Sequence, residues 1–309
     1  RDGARSRGLG DVYKRQFQSS FSLESLEWFK GHQVQDSFIL PASAYIEIAI
    51  AVGRQRLKSH LITLENITFE KSLVLTPNSP LILQTIVETE GHFQIYHLDG
   101  NGENWIKHSQ GQIGLNQSLN QEKNILLAEL RNRLKQEIES TVFYQTCQKR
   151  GLNYGKTFQL IQQLYSQNEE SLGKIVLPSS TEYESNFYFN PPLLDACFQV
   201  TLATFPEETI EQTYVPIAIE KCSLYGLVPY VLWSYAKRRK TLSSNILVTD
   251  LKLFDEQGNI IADIDGLTSQ KIVNKSRTKL SDHLDIEFTN WLYNCLLYTS
   301  PSPRDLAHS

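Results

Sequence analysis

The sequence has no methionine among its 309 residues, and it begins with Arg1. Because translation starts at a methionine codon, we expect the chain to be a piece of a longer protein. No apolar run approaches the roughly 20 residues that a membrane-spanning helix needs, and no secretory signal opens the chain. The formal net charge of -4 provides no basic field for nucleic acid. We therefore expect a cytoplasmic protein with no membrane or nucleic-acid partner.

Cysteine is also scarce in this sequence. Four cysteines lie far apart, at no spacing typical of a metal site, and this suits reduced thiols in the cytoplasm. A G-x-G-x-x-G or P-loop pattern is missing too, which argues against a nucleotide-dependent enzyme. We expect no metal site. The cysteines are Cys147, Cys197, Cys222 and Cys295.

The two ends of the chain differ from the rest. Residues 1–16 are basic and rich in glycine, and residues 295–309 show no hydrophobic period. We expect both to be non-native tails that carry no chemistry, and disordered native tails would fit the same pattern. Across the whole chain, 40% of residues are hydrophobic, which is enough for one large core or two smaller ones.

Residues 17–118 predict a helix followed by strands. The helix covers residues 41–57 (PASAYIEIAIAVGRQRL), where proline suits the first turn. The middle two of four strand-like runs flank Gly91 and predict a hairpin. The four runs are residues 67–75, 81–88, 92–98 and 105–115.

Residues 119–150 predict a linker that contains one amphipathic helix at 126–149, which Gly151 ends. Residues 151–273 then repeat the first plan, with an apolar helix at 191–205, and residues 274–294 predict a second linker. The repetition indicates two similar α+β units. Strand-like runs of the second unit are residues 215–225, 230–237, 244–254 and 260–272, with a hairpin turn at 255–258.

A histidine motif precedes the first predicted helix. His32 lies nine residues before Pro41 in the segment GHQVQDSFILPASAYIE, residues 31–47. A lone histidine is more often a surface residue than a catalytic one. This segment, however, resembles the HxxxGxxxxP motif and the LPGAAYLE run of dehydratase domains from polyketide synthases and animal fatty acid synthases. Asp36 stands where the family usually has glycine.

An aspartate lies inside the second apolar helix. In LLDACFQV, residues 193–200, Asp195 is followed one turn later by Gln199, which is similar to the family motif DxxxQ. A carboxyl group is costly to bury unless it is paired or neutral, and Gln199 can reach it at this spacing. An aspartate that interacts with the helix dipole is the alternative interpretation.

A glycine-rich turn carries a tyrosine. Residues 151–158 (GLNYGKTF) resemble the family's GYxYGPxF motif at Gly151, Tyr154, Gly155 and Phe158. Lys156 replaces the usual proline. Weaker similarities lie at residues 214–221 and 250–266. The resemblance thus extends from about residue 17 to residue 273, although an HPLLG-like opening with a first strand is missing.

The resemblance implies an α+β double hot-dog fold, with two helix-wrapped antiparallel sheets side by side about a pseudo-twofold axis. It implies a hydro-lyase, the dehydratase domain of a modular polyketide synthase. Such a domain converts a 3-hydroxyacyl thioester into the 2-enoyl thioester and binds no cofactor of its own. The substrate is carried on the phosphopantetheine of an acyl carrier protein. Expected partners are that carrier, other synthase domains and a second copy in a homodimer.

The resemblance makes His32 the proton acceptor and Asp195 the proton donor. Desolvation must then raise the aspartate pKa above its usual value of about 3.9. Tyr154 would bond the leaving hydroxyl. Backbone N–H groups near Pro41 would bind the thioester oxygen. Further supporting residues are Gln199 and Gly155, and the predicted substrate tunnel is lined by Leu40, Leu194, Phe158 and Phe198.

Two departures from the family pattern leave alternatives open. If Asp36 faces His32, it raises the histidine pKa and weakens the base; if the backbone there has a positive φ, aspartate is a good substitute for glycine. With Lys156, these departures allow a catalytically silent structural domain. A product-template-like cyclisation domain uses a similar His–Asp pair. Basic residues that could meet an acidic carrier, or simply be solvated, are Arg54, Arg56 and Lys58.

Overall fold

The computed structural model describes residues 15–21, 27–76, 81–100, 102–117, 125–178 and 187–272. The predicted tail at 295–309, most of the tail at 1–16 and the linker at 274–294 lie outside these residues. Helices of this described part are α1 (Ala42–Leu57), α2 (Ile125–Arg133), α3 (Ser140–Lys149) and α4 (Pro191–Gln199).

The described strands form two antiparallel sheets. The larger has eleven strands in the order β1-β5-β6-β7-β4-β11-β14-β13-β12-β10-β9, and the smaller has the order β3-β2-β8. The strands are β1 (Arg15–Phe21), β2 (His32–Val34), β3 (Ser37–Phe38), β4 (Ile62–Phe69), β5 (Leu81–Val87), β6 (His92–Leu98), β7 (Trp105–Leu115), β8 (Leu152–Tyr154), β9 (Ile161–Gln167), β10 (Glu170–Val176), β11 (Thr213–Leu224), β12 (Val231–Arg238), β13 (Ile246–Phe254) and β14 (Ile260–Ile272).

The two halves of the chain join at the middle of the large sheet. Strand β4 of the first half pairs with β11 of the second half. The paired residues run from Thr63↔Ser223 to Thr68↔Ala218. Helix α1 packs on β4 and β7, helix α4 packs on β10, and the two helices contact each other. Both helices are largely buried, which explains their apolar sequences. Each half therefore wraps an antiparallel sheet around one helix.

The predicted helix at 41–57 and the strands at 92–98, 105–115 and 260–272 are confirmed within one residue. The predicted strand at 67–75 is wrong at both ends, because β4 covers Ile62–Phe69. A bulge at Asn66, where φ is 52°, interrupts the alternation that sequence patterns rely on. The residues after β4 run alongside the segment that connects β3 to α1, where Leu40 N donates a hydrogen bond to Leu73 O.

The predicted single helix at 126–149 is wrong, because α2 and α3 are separate helices. Between them the backbone pairs with the outer edge of β9: Ile138 N donates to Leu164 O, and Ser166 N donates to Gln136 O. These hydrogen bonds cover an edge strand and replace the helical ones. The helix predicted at 191–205 is α4 as far as Gln199 and continues as a 3₁₀-helix, Val200–Thr204.

Six strands were not predicted: β1, β2, β3, β8, β9 and β10. In β9 the burial does not alternate regularly, so period-two counting misses the strand. Strand β1 pairs with β5 along its whole length, from Arg15↔Val87 to Phe21↔Leu81. A first strand is therefore present, contrary to expectation, and it includes the last two residues of the segment assigned to the N-terminal tail.

Candidate active site

The position of His32 is set by main-chain contacts. It is the first residue of β2, a short strand between β3 and β8, and it pairs with Tyr154 of β8. Its Nδ1 lies 2.9 Å from the carbonyl oxygen of Ile39. Because a carbonyl only accepts, Nδ1 carries the proton of this hydrogen bond, and Nε2 is the ring nitrogen that faces Asp195. The residue is 7% exposed.

The turn after β2 explains the departure at Asp36. Gln35 and Asp36 have φ values of 47° and 66°, the left-handed region in which glycine and aspartate are favoured. The Asp36 carboxylate lies on the β8 side, 3.5 Å from the side-chain nitrogen of Asn153. Aspartate therefore suits the positive φ at this position, where the family motif has glycine.

Helix α4 places Asp195 opposite this histidine. Asn190 caps the helix by accepting from Leu193 N at 3.4 Å, and two prolines suit its first turn. Asp195 Oδ1 lies 3.8 Å from His32 Nε2. The aspartate is 6% exposed. Burial raises the pKa of Asp195, while His32 and a hydrogen bond from Gln199 oppose that rise. The net shift of the Asp195 pKa is upward, which favours the uncharged carboxylic acid.

Gln199 holds the aspartate through a chain of hydrogen bonds. Its Nε2 donates to Asp195 Oδ2 at 2.8 Å and to Phe158 O at 3.1 Å. Its Oε1 accepts from the Tyr144 hydroxyl at 3.2 Å, and that hydroxyl accepts from Ile161 N at 3.2 Å. The amide orientation of Gln199 is therefore determined by both ends. Tyr144 was missed in the sequence, where no motif points to it.

Tyr154 lies beside the histidine, with 5.8 Å between the two ring centroids. Burial raises the pKa of Tyr154 well above its usual value, so its hydroxyl stays a neutral donor. Gly155 N donates to Gly31 O at 2.7 Å. A Cβ on Gly155 would lie 2.9 Å from the Gly31 Cα, which is too close for two carbons. Glycine at 155 therefore permits the close approach that sets Tyr154 against His32.

The pair lines a cavity of about 100 Å³. The residues brought together there are His32, Asp195, Tyr154, Gln199, Leu40, Pro41 and Phe198. Contrary to prediction, Leu194 and Phe158 do not line it. Leu194 is fully buried in the main hydrophobic core. Phe158 packs against His32, with 5.3 Å between the two ring centroids.

Most of the remaining lining was not predicted. Tyr45 belongs to the LPASAYIE motif, and Tyr214, Val215 and Pro216 belong to a segment that the sequence similarity covers, although none of them was assigned to the site. Lining residues outside every quoted motif include Phe69, Lys71, Ser72, Thr201, Leu267 and Ser269. The wall is mostly apolar with a few polar groups, and this combination is typical of small-molecule sites.

The basic group at the end of α1 is less available than expected. Arg54 is buried, with its guanidinium 3.8 Å from the centre of the Tyr188 ring. Arg56 donates to the Thr89 carbonyl oxygen. Arg54 is therefore an internal contact rather than a surface charge for a carrier protein.

In the described part of the chain, no three His, Cys, Asp or Glu side chains cluster as a metal site would require. None of the helices described there is long and apolar enough to cross a membrane.

Comparison with known families supports one class of enzyme. A sequence model described as "Polyketide synthase dehydratase N-terminal domain" matches residues 124–279, just over half of the chain. A second, "Polyketide synthase dehydratase domain", matches residues 8–98. The chain belongs to the polyketide synthase dehydratase family, whose members are hydro-lyase domains of modular synthases.

The curated relatives are much longer proteins. The highly reducing polyketide synthase gloL of Glarea lozoyensis is 25% identical over 231 residues, 70% of this chain but 9% of that protein. Polyketide synthase PksM of Bacillus subtilis is 24% identical over 293 residues, 88% of this chain and 7% of that protein. The chain thus spans less than a tenth of the relatives that it matches here.

Solved structures agree with the family assignment. The CurK dehydratase domain of the curacin polyketide synthase is 29% identical, with a TM-score of 0.77 over 86% of this chain and 96% of that one. The CurF dehydratase domain is 27% identical, with a TM-score of 0.77 over 87% and 97% of the two chains. The predicted double hot-dog fold is confirmed.

Proposed function

We propose that this domain eliminates water from a 3-hydroxyacyl thioester on the phosphopantetheine of an acyl carrier protein, giving the 2-enoyl thioester. The observation that carries the proposal is the separation of 3.8 Å between His32 Nε2 and Asp195 Oδ1 inside a largely apolar cavity. A base and an acid at this separation can reach adjacent carbons of one acyl chain.

His32 is the proton acceptor in this mechanism. Its Nδ1–H is held by the Ile39 carbonyl, so the lone pair of Nε2 faces the cavity and takes a proton from C2. The electrons of the C2–H bond form the C2=C3 double bond. The thioester carbonyl oxygen gains negative charge as this proton leaves, so it needs hydrogen-bond donors.

Asp195 is the proton donor. Its uncharged carboxylic acid protonates the C3 hydroxyl, and the C–O bond electrons leave with the oxygen as water. His32 is then protonated and Asp195 ionised. Transfer of the proton from the imidazole to the carboxylate restores both groups for the next turnover, because the two face each other.

The neighbouring groups stabilise the reacting atoms. The neutral hydroxyl of Tyr154 binds the departing oxygen. Ala42 lines the cavity at the start of α1, where first-turn N–H groups have no intrahelical acceptor and the helix dipole is positive. Those N–H groups bind the thioester oxygen, while Pro41, which has no N–H, fixes the start of the helix.

Two solved relatives support these roles. One CurK dehydratase structure carries phenylalanine in place of a histidine, and another carries asparagine in place of an aspartate; both are described as inactive mutants. A histidine and an aspartate are thus needed in that enzyme. The carry-over to His32 and Asp195 rests on the family membership and on their facing positions.

The proposal also covers the setting of the domain. It acts in the cytoplasm, without a cofactor of its own, on a substrate that an acyl carrier protein delivers. Other polyketide synthase domains and a second copy of the chain are its partners. The partnership with other synthase domains is supported by the length of the relatives, of which this chain matches 7% and 5%.

The test uses the full chain and synthetic 3-hydroxyacyl carrier proteins, with intact-protein mass spectrometry to follow loss of one water. Hydration of the 2-enoyl carrier is measured as the reverse reaction. We expect turnover in both directions and its loss in His32→Ala. Cyclised product from a polyketone carrier would favour a product-template-like domain, and no turnover in either direction would favour a silent structural domain.

A further inference from the structure

Glu47 is a buried carboxylate that the proposed reaction does not use. It lies on α1, in the half that carries the histidine, and is 5% exposed. Its Oε1 accepts from Tyr188 N at 2.9 Å, and its Oε2 accepts from Phe189 N at 2.8 Å. These two N–H groups belong to the chain that leads into α4, so one side chain holds the entry of the helix that carries Asp195.

Two further contacts hold the same short segment. The guanidinium of Arg54, also on α1, lies over the Tyr188 ring at 3.8 Å. The ring of Phe187 packs edge-on against Trp28, with 5.9 Å between centroids. Side chains of the histidine half therefore contact residues 187–189, just before the N-cap of α4 at Asn190.

This contact is costly to maintain. Burial raises the pKa of Glu47 to about 7, although the two backbone N–H groups and Arg54 favour its charged form. An apolar side chain would avoid that penalty. It would also leave the buried N–H of Phe189 and the partly buried N–H of Tyr188 without their acceptor. A carboxylate with two oxygens matches two successive N–H groups, which ties the backbone in one geometry.

The connections from Glu47 to both reacting groups are short and stiff. On one side, the N-cap of α1 is Pro41, two residues after the Ile39 carbonyl that holds the His32 ring. On the other side, Phe189 is followed at once by the Asn190 cap and the first turn of α4. A shift of residues 188–189 relative to α1 therefore changes the distance between the imidazole and the Asp195 carboxyl.

We propose that Glu47 is a positioning residue that sets the separation of His32 and Asp195 by anchoring the start of α4 to α1. The inference rests on the proposed function, since it concerns the geometry of that reaction. Glu47 touches no substrate in this role and acts through the backbone at Tyr188 and Phe189.

The chain offers a matched control at Glu65. Glu65 on β4 pairs with Lys221 on β11 at 2.9 Å, so it also links the two halves, but its side chain is 43% exposed. Glu47→Gln keeps the size of the side chain and one acceptor, and it presents an amide donor to the other N–H. Glu65→Gln removes a surface charge pair of small value.

In the full chain we expect Glu47→Gln to lower kcat by about tenfold to a hundredfold, the effect of a misplacement on the order of 1 Å, with KM changed less than kcat. Glu65→Gln should match the parent in kcat. Glu47→Asp, which keeps both oxygens, should recover part of the lost kcat. A purely structural role would instead lower the melting temperature and leave kcat per folded molecule unchanged.

Hydrogen exchange provides a reading that needs no turnover. The peptide containing Tyr188 and Phe189 should exchange faster in Glu47→Ala than in the parent or in Glu65→Gln. Unchanged exchange, or an active parent with an equally active Glu47→Gln, would overturn the inference. A parent without dehydratase turnover would instead refute the proposed function, while exchange still reports whether Glu47 anchors the segment.

Discussion

The two reacting side chains are held in different ways. His32 is fixed by main chain, through the Ile39 carbonyl and the pairing of β2 with β8. Asp195 is fixed by side chains, through Gln199 and then Tyr144. Main-chain contacts survive most substitutions, whereas a side-chain relay is lost with any member. The aspartate half should therefore be more sensitive to mutation than the histidine half, and four substitutions test this.

The largest effect is expected for Asp195→Asn. An amide cannot act as the acid, so turnover should fall by about 10²–10⁴-fold, the contribution of a positioned proton donor. The measurement is dehydration by intact-protein mass spectrometry. Turnover within about threefold of the parent would show that Asp195 is not the proton donor. The comparison of how His32 and Asp195 are held would then have no bearing on catalysis.

The same substitution should raise stability at neutral pH. Burial raises the pKa of Asp195 in the folded chain, so the folded state loses stability as pH rises above the unfolded value of about 3.9 and through the folded pKa. Asparagine does not titrate. Melting temperatures should therefore favour Asp195→Asn near pH 7, and the difference should shrink near pH 4. A constant difference at both pH values would contradict this.

The next effect is expected for Gln199→Leu. Leucine leaves Asp195 Oδ2, the Phe158 carbonyl and the Tyr144 hydroxyl without their shared partner. We expect kcat to fall by about tenfold to a hundredfold, because the acid loses its orientation. Gln163→Leu, at an exposed position of β9, is the matched control. Equal kcat in both variants would show that the relay does not position Asp195.

A smaller effect is expected for Tyr144→Phe. This removes two neutral hydrogen bonds, one to Gln199 and one from Ile161 N, but only the first reaches the acid. That bond has a net value of about 0.5–1.5 kcal/mol, so kcat should fall by at most about tenfold. Tyr230→Phe, where the side chain is 70% exposed, serves as the control. If Tyr144→Phe were as damaging as Gln199→Leu, the tyrosine would act directly on the substrate rather than through Gln199.

The smallest effect is expected for Ile39→Val. The bond to His32 comes from the main-chain carbonyl, which valine keeps. The lost methylene should cost about 0.5–1.5 kcal/mol of folding stability, with kcat within about threefold of the parent. Kinetics and thermal melting of one preparation check both. A large loss of kcat would mean that the side chain, and not the carbonyl, holds the imidazole.

The sequence predicted the parts of the site that a local pattern encodes. Helices α1 and α4 are largely buried and start at or just after a proline, so both were found. His32 lies before α1 and Asp195 lies within α4, as the motifs indicated. Strands β6, β7 and β14 were found because turns bound them and apolar residues recur along them. The facing of the two residues depended on the family resemblance, since no local pattern joins positions from different halves.

The rest depends on contacts between distant segments. Tyr144 meets Gln199 only in the folded chain, so its place in the relay left no local signal. The break between α2 and α3 is caused by pairing with β9, which helix periodicity cannot reveal. Leu194 was assigned to the cavity wall for its closeness to Asp195 in sequence, but neighbours on a helix point in different directions.

The described cysteines, Cys147, Cys197 and Cys222, are all buried. Burial raises the pKa of Cys147 and of Cys222 to about 12, so the reactive thiolate is scarce while the fold is closed. Cys197 follows Asp195 by two residues in α4, Cys147 lies in α3, and Cys222 lies at the β4–β11 join. The unmodified chain thus contains native reporters of local opening. Alkylation rates of the individual cysteines, measured by peptide mapping, would rank how often α4, α3 and the β4–β11 pairing open locally, without an added dye.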